Sequence, residues 1–123
     1  MNNAGVIAKT SDIREEVIDK ILLINYYGTI ELTEKMLPLL PNESKIIIVT
    51  SDLGAYKNLK DCSLKRELDN PKLTHEELNK IVDNFCNVAK EKKAITMAGL
   101  APLYGFSKLA LNYYSKILAQ WRE

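Results

Sequence analysis

A tyrosine and a lysine four positions apart, Tyr104 and Lys108, lie in a segment whose apolar residues recur at helical spacing. Residues four apart share one face of a helix, so we expect the phenol and the ammonium to lie side by side. A free tyrosine has a pKa of about 10, and a fixed cation nearby favours the phenolate and lowers that pKa. Such a phenol can give a proton to a carbonyl oxygen as the carbonyl carbon is reduced. The spacing alone is weak evidence, because Tyr56 and Lys60 repeat it and Tyr104 can equally be an amphipathic residue at a helix start.

Two further polar residues stand where the secondary structure is predicted to change. Ser51 follows residues 45–50, an apolar, β-branched run without alternation that predicts a strand buried on both faces, as in a parallel sheet. Open α/β sheets bind ligands at the carboxyl ends of their strands, where a serine hydroxyl can donate to a substrate carbonyl. Asn25 begins residues 25–28, whose weak helix formers predict a kink between two helical stretches. Each residue can equally be a turn or kink residue without a chemical role.

Four short motifs occur in one order along the chain, and together they resemble the short-chain dehydrogenase/reductase family. They are Asn-Asn-Ala-Gly at residues 2–5, Asn-x-x-Gly at residues 25–28, Ser-x-x-Gly at residues 51–54 and Tyr-x-x-x-Lys at residues 104–108. Each motif is modest by itself, whereas four motifs in the order of the family are strong evidence. The resemblance covers the entire chain.

The resemblance implies a catalytic role for four residues. Tyr104 would be the general acid in reduction, and Lys108 would lower the pKa of Tyr104 and hold the nicotinamide ribose. Ser51 would orient the substrate carbonyl. Asn25 would hold a water molecule in a proton relay behind Lys108. These four residues are the predicted catalytic set.

The resemblance also implies a cofactor site. Asn2, Ala4 and Gly5 would support the strand end beside the cofactor, and Tyr104 and Lys108 would contact it. The family's Thr-Gly-x-x-x-Gly-x-Gly loop, which cradles the pyrophosphate at a helix N-terminus, does not occur in this sequence. The predicted cofactor contacts are therefore those of the nicotinamide end alone.

Residues 52–103, which separate Ser51 from Tyr104, form a longer gap than most members of the family have. Thr74 and Glu77 predict a capping box at the start of a helix in this gap. Four apolar residues then follow at helical spacing: Leu78, Ile81, Val82 and Phe85. We therefore predict a helical insertion before the catalytic helix.

A helical insertion at this place resembles the monomeric carbonyl reductases and the related plant terpenoid and alkaloid ketone reductases. Their cofactor is usually NADPH, so we expect NADPH and a small-molecule carbonyl substrate. In dimeric and tetrameric relatives the catalytic helix and the helix bearing the Asn motif form the subunit contact. The apolar stripe of the insertion would cover these helices, so we expect a monomer when the protein is complete.

The predicted fold is α/β, as one partial domain of residues 1–123. It comprises part of a Rossmann-type, doubly wound parallel sheet without its N-terminal strands, and the helical insertion. A lone buried strand lacks neighbours for its backbone groups, and the pyrophosphate loop does not occur in the sequence, so we expect this chain by itself to be inactive. The alternative hypothesis is a truncated, non-catalytic isoform or interaction protein that binds a partner through an exposed sheet edge.

Charge and composition argue against several other classes of function. The chain has 17 Lys and Arg residues against 16 Asp and Glu, a net charge of +1, which gives no electrostatic reason to expect nucleic acid or an anionic membrane as partner. The longest apolar runs are too short to span a bilayer. Cys62, Cys86 and His75 are scattered, so we expect no metal site and two unpaired thiols, as in a cytoplasmic protein.

Overall fold

The computed structural model of the chain describes residue 5, residues 15–91 and residues 97–121. Within these residues the chain forms five α-helices: α1 (Glu15–Leu22), α2 (Gly28–Met36), α3 (Cys62–Leu68), α4 (His75–Glu91) and α5 (Met97–Trp121). Short 3-10 turns lie at Leu37–Leu39, Asp52–Gly54 and Tyr56–Asn58. The described part is therefore a helical assembly built around α5.

The helical stretch that begins with α1 is interrupted where the sequence predicts a kink. A π-helical turn, Leu23–Tyr27, joins α1 to α2, and the Gly28 N–H donates to the Leu23 carbonyl five residues earlier. Backbone dihedral angles stay helical through the turn, so the chain widens there without breaking. The prediction of an interruption is confirmed, and its form is a π-helical turn, which often marks a functional site.

Side-chain caps begin two helices of the segment between residues 52 and 91. The Asp61 carboxylate accepts hydrogen bonds from the backbone N–H groups of Ser63 at 2.9 Å and Leu64 at 3.1 Å, which starts α3. At α4 the Thr74 hydroxyl accepts from the Glu77 N–H, and the Glu77 carboxylate accepts from the Thr74 N–H. The predicted capping box is confirmed, and it satisfies backbone donors that the first turn of a helix leaves unpaired.

Helix α5 is the centre of the core. From residue 103 to residue 111 every residue except Tyr104 is buried, because α1, the π-helical turn and α4 all pack against this helix. The Phe85 ring of α4 stacks on the Phe106 ring of α5, with centroids 3.8 Å apart. The apolar stripe of α4 faces this core, with Leu78 and Val82 fully buried. None of the described helices is long and apolar enough to cross a membrane.

Residues 45–50 differ from the predicted strand. They form no strand pairing with any described residue, and their exposure alternates: Ile46 and Ile48 are half-buried, whereas Ile47 is 84% and Val49 61% exposed. A strand buried on both faces needs neighbours that pair with its backbone groups and cover its second face. No other described segment supplies such an edge, so the prediction of burial on both faces is wrong for this structure. One side of the segment packs against the core, and the other side faces solvent.

The Asp52–Gly54 turn that follows this segment packs directly on α5. A methyl group on Gly54 would lie 2.8 Å from the Leu109 backbone nitrogen and 2.8 Å from Lys108 Cβ, which is closer than real side chains approach. The Asn112 amide, also on α5, donates to the Gly54 carbonyl at 3.4 Å. Glycine is thus required at position 54 because the turn and the helix meet backbone to backbone.

Replacing Gly54 by alanine should therefore destabilise the fold. The backbone of Gly54 is not in the left-handed region, so the cost comes from the overlap with α5 alone. We expect a loss of about 1–3 kcal/mol in the free energy of unfolding, the usual cost of overpacking. Urea unfolding followed by circular dichroism measures this loss. The exposed Lys57→Ala variant is the control and should stay within about 0.5 kcal/mol. Equal stability of Gly54→Ala and the unmodified chain would contradict the close packing.

Candidate functional site

The π-helical turn places Asn25 in the interior. Its side chain is completely buried, and its amide nitrogen Nδ2 donates to the Ser107 hydroxyl of α5 at 3.3 Å. The wide turn brings the Leu23 carbonyl so close to Gly28 that a methyl group there would lie 2.8 Å from the oxygen. Asn25 and Gly28, the two ends of one motif, thus have linked roles, because the glycine permits the turn that directs the amide inward.

Lys108 lies beside this amide, next to the backbone of Gly5. A methyl group placed on Gly5 would lie 3.5 Å from the Lys108 Nζ atom and 3.7 Å from the Asn25 Oδ1 atom. Lys108 is only 8% exposed, and burial lowers the pKa of its ammonium group. The Lys108 ammonium and the Asn25 amide oxygen therefore lie together beside the backbone of Gly5.

Tyr104 and Lys108 share one face of α5, as their spacing predicts. The Lys108 Nζ atom lies 5.8 Å from the centroid of the Tyr104 ring. Tyr104 is half-buried, near the start of residues 103–111, which are otherwise buried. The phenol is therefore the one side chain of that stretch that reaches towards solvent while the lysine beside it is held inside.

Ser107 belongs to this group, although the sequence did not reveal it. Its hydroxyl is completely buried; it donates to the Tyr104 carbonyl at 2.6 Å and accepts from the Asn25 amide. A serine inside a helix commonly bonds to a carbonyl of the preceding turn, so its presence next to Lys108 carries little information by itself. The role of Ser107 is visible only in the tertiary structure, where its hydroxyl links the Asn25 amide to the backbone of α5.

Ser51 caps the Asp52–Gly54 turn, which packs on α5. Its backbone is extended, its side chain is half-buried, and its hydroxyl accepts from the Leu53 N–H at 3.3 Å. A side chain on Gly105 would overlap the Leu53 carbonyl oxygen, so the turn lies against α5 directly beside Tyr104. The structure thus anchors the Ser51 turn one residue along α5 from the tyrosine.

The second tyrosine and lysine pair has a different environment. The Tyr56 hydroxyl donates to an Asp69 carboxylate oxygen at 2.5 Å, and the side chain is exposed. The hydrogen bond to that carboxylate raises the pKa of Tyr56, which is the opposite of what a proton donor at neutral pH requires. Tyr56 therefore lacks the electrostatic surroundings of an acid catalyst.

The predicted cofactor-binding residues are only partly visible. Asn2 and Ala4 lie outside the described residues, so the structure gives no contact for them. The Lys108 ammonium carries three N–H donors, Asn25 carries a side-chain amide, and Gly5 presents backbone without a side chain. These groups suit hydrogen bonding to the hydroxyl groups of a ribose. These residues fit the nicotinamide end of a dinucleotide. Their roles in binding and catalysis stay predictions.

Comparison with known proteins finds relatives over nearly the whole chain, and no family model matches it. The chain is 33% identical over 125 residues to short-chain dehydrogenase/reductase 1 of Saponaria officinalis, and 32% identical over 120 residues to (+)-neomenthol dehydrogenase of Arabidopsis thaliana. It is 28% identical over 127 residues to carbonyl reductase [NADPH] 1 of Mus musculus. These matches cover 98%, 94% and 98% of this chain.

The same matches cover a smaller part of the relatives. They span 40% of the Saponaria protein, 39% of the Arabidopsis protein and 44% of the mouse protein. All three relatives carry the name of a dehydrogenase or reductase, and the similarity implies an α/β fold of Rossmann type. The described residues show the helices of such a fold and no strand.

Replacing Lys108 by methionine, which has similar length and no charge, should raise the free energy of unfolding at pH 7. Burial lowers the pKa of Lys108, so at neutral pH the folded state carries a desolvated charge that the unfolded state keeps in water. Between the lowered pKa and the ordinary value of 10.5 the unfolded state binds more protons, so this penalty decreases as pH rises. Thermal and urea unfolding at pH 7 measure the gain.

A pH series makes this test specific. The stability difference between the two proteins should narrow as pH rises from 7 towards 10.5, the ordinary pKa of lysine. Burial raises the pKa of Tyr113 and of Tyr114 to about 12, but these phenols titrate alike in both proteins and cancel in the difference. Lys80→Met, at an exposed position of α4, is the control and should change stability by less than about 0.5 kcal/mol. A Lys108→Met protein that is less stable at pH 7 would contradict this prediction.

Proposed function

The chain belongs to the short-chain dehydrogenase/reductase family, and from that membership we propose that it carries the proton-transfer site of an NADPH-dependent carbonyl reductase. The observation that supports this most is the buried Lys108 ammonium beside Asn25, on the helix face that presents Tyr104. A nicotinamide cofactor, when bound, supplies the hydride. The protein supplies binding, orientation and the proton.

Tyr104 is the proposed general acid. Its phenol gives a proton to the carbonyl oxygen of the substrate, and the Lys108 ammonium stabilises the negative charge that remains on the Tyr104 oxygen. The low exposure of Lys108 strengthens this electrostatic effect, because fewer water molecules screen the ammonium. Tyr104 is half-exposed, so a substrate can reach the phenol while the charge behind it stays inside.

Three other residues complete the proposed site. Ser51 donates a hydrogen bond to the substrate carbonyl and orients the carbonyl towards Tyr104. The Ser51 hydroxyl can do so because only its oxygen is used by the Leu53 N–H, which leaves its hydrogen to donate. Asn25 holds a water molecule behind Lys108, through which the proton of Tyr104 is replaced. Lys108 also holds the ribose of the cofactor beside Gly5. Each role uses a group that the fold holds near α5.

The substrate class and the cofactor preference come from the relatives. The mouse relative is named a carbonyl reductase that uses NADPH, and the Arabidopsis relative is named a neomenthol dehydrogenase. We propose a ketone or aldehyde as substrate and NADPH as cofactor, in keeping with the names of these relatives. The proposed roles of Ser51 and Tyr104 at a carbonyl group, and of Lys108 at a ribose, agree with this choice.

We also propose that the complete protein is a monomer. Helix α4 covers one side of α1 and α5, with Leu78 and Val82 buried and the rings of Phe85 and Phe106 stacked. An apolar helix face that is already covered within one chain is not available to a second copy. The surfaces that join subunits in oligomeric relatives would therefore be occupied by α4.

The Tyr104→Phe variant should lose reductase activity. Because the chain spans about 40% of the length of its Saponaria relative, the assay uses the chain joined to the parts of that relative outside the matched region. NADPH oxidation with a ketone substrate is measured by absorbance. Loss of the proton donor should lower kcat by about a hundredfold or more, with little change in thermal stability.

Tyr56→Phe is the matched control, because it removes a phenol that donates to Asp69 away from the site. It should keep nearly full activity, and an equal loss from both substitutions would refute the assignment of Tyr104. The 123-residue chain without the added parts should show no turnover, since none of its segments forms a Gly-x-Gly-x-x-Gly loop for the pyrophosphate. A folded but inactive joined protein would favour the alternative of a non-catalytic interaction protein.

The joined protein should sediment as a single copy across the micromolar range. Sedimentation equilibrium measures its mass, and the covered faces of α1 and α5 are the reason for the expectation. A stable dimer or tetramer with α4 intact would contradict the proposed monomer.

A further inference from the structure

Helix α4 contacts the π-helical turn through two phenol groups that directly follow Asn25. The Tyr26 hydroxyl donates to the Asn79 side-chain oxygen at 2.9 Å, and the Tyr27 hydroxyl donates to the Asp83 carboxylate. Asn79 and Asp83 are four residues apart on α4, so they present their acceptors on one face. The turn is thus fixed to α4 at two consecutive residues.

Both phenols remain hydrogen-bond donors at neutral pH. Burial, and then the neighbouring Tyr27, raises the pKa of Tyr26, whose side chain has no exposed surface. Burial and the hydrogen bond to Asp83 raise the pKa of Tyr27. Both hydroxyl groups therefore keep their hydrogen at neutral pH and can donate to α4.

The register of the π-helical turn decides where the Asn25 side chain points. A π-helical turn contains one residue more than an α-helical turn, and it is the less stable form unless other contacts support it. A change of register by one residue rotates a side chain by about 100° around the helix axis. Such a rotation would remove the Asn25 amide from Ser107 and its oxygen from the neighbourhood of Lys108 and Gly5.

Helix α4 is itself held by contacts that do not involve this turn. The Phe85 ring stacks on α5, and the Lys90 ammonium lies 2.5 Å from the Asp19 carboxylate of α1. At the other end of α4 the His75 ring nitrogen lies 3.1 Å from a carboxylate oxygen of Glu34 on α2. Helix α4 therefore has a defined position from which its two acceptors can hold the turn.

We infer that α4 positions Asn25: the hydrogen bonds of Tyr26 to Asn79 and of Tyr27 to Asp83 keep the turn in the π-helical register that holds Asn25 against Ser107. The inference rests on the proposed function for its catalytic meaning, because Asn25 serves the relay behind Lys108. Asn79 and Asp83 are then positioning residues, because they act through Tyr26 and Tyr27 on Asn25. The insertion would contribute to the reaction as well as covering the core.

The test measures hydrogen exchange of the Asn25 side-chain amide by NMR in the 123-residue chain. One variant removes both acceptors (Asn79→Leu with Asp83→Leu), and a second keeps an oxygen at both positions (Asn79→Asp with Asp83→Asn). Leucine favours helix more than asparagine or aspartate, so α4 itself is not weakened. Exchange should accelerate by about tenfold or more in the first variant and should stay near the original rate in the second.

Two phenylalanine variants keep the test decisive if the leucine variant folds poorly. Tyr26→Phe with Tyr27→Phe removes both donors without leaving a buried hydroxyl unpaired, and it should accelerate exchange in the same way. Tyr113→Phe is the control, because it also removes a phenol that donates to a carboxylate. The partner of Tyr113 is Asp69, at 3.2 Å, and both residues lie far from the turn in sequence. Thermal unfolding of the unmodified chain, the double phenylalanine variant and Tyr113→Phe reports any general loss of stability.

Unchanged protection of Asn25 in the double phenylalanine variant would overturn the inference. Equal acceleration in Tyr113→Phe would overturn it as well, because it would indicate general loosening. The measurement requires no cofactor and no turnover, so its outcome is independent of the reductase assay. An active Tyr104→Phe enzyme would refute the proposed function even if α4 were found to hold Asn25.

Discussion

The burial of the Lys108 ammonium is the feature on which the rest of the site depends. A charged group that is only 8% exposed costs free energy, and burial lowers its pKa. The fold tolerates this cost because α5 is fixed by close contacts on both sides of the lysine. The Asp52–Gly54 turn meets the backbone at Lys108 and Leu109, and the π-helical turn brings the Asn25 amide to Ser107, the residue before the lysine. In the proposed reaction a charge in this position would assist proton transfer at a cost in stability, a trade-off that is common at functional sites.

Three glycines of the recognised motifs share one physical explanation, which is the close approach of backbone. At Gly28, Gly54 and Gly105 a side chain would overlap a backbone carbonyl or a neighbouring helix, and at Gly5 it would occupy the space beside Lys108. These residues do not carry chemistry themselves. Gly54 and Gly105 let the Asp52–Gly54 turn meet α5 backbone to backbone, and Gly28 permits the π-helical turn that directs Asn25 inward. The motifs therefore describe packing distances as much as catalytic groups.

Helix α4 gives the site a support that lies outside those motifs. It packs an apolar face on α1 and α5, and it offers Asn79 and Asp83 to the two tyrosines that follow Asn25. These hydrogen bonds join α4 to the turn that carries the buried Asn25 amide.

The sequence by itself determined the helical elements, the interruption near Asn25, the capping box of α4 and the family. These features depend on residues that are close together in the chain, such as Thr74 and Glu77, or on short motifs that can be read directly. The tertiary structure decided what lies far apart in sequence. It placed Ser107 on Asn25, joined Tyr26 and Tyr27 to α4, and left Ile47 and Val49 exposed on a segment predicted to be buried on both faces. The physical reason is that burial and hydrogen-bond pairing depend on which segments meet in space, whereas helix propensity and capping depend on neighbours along the chain.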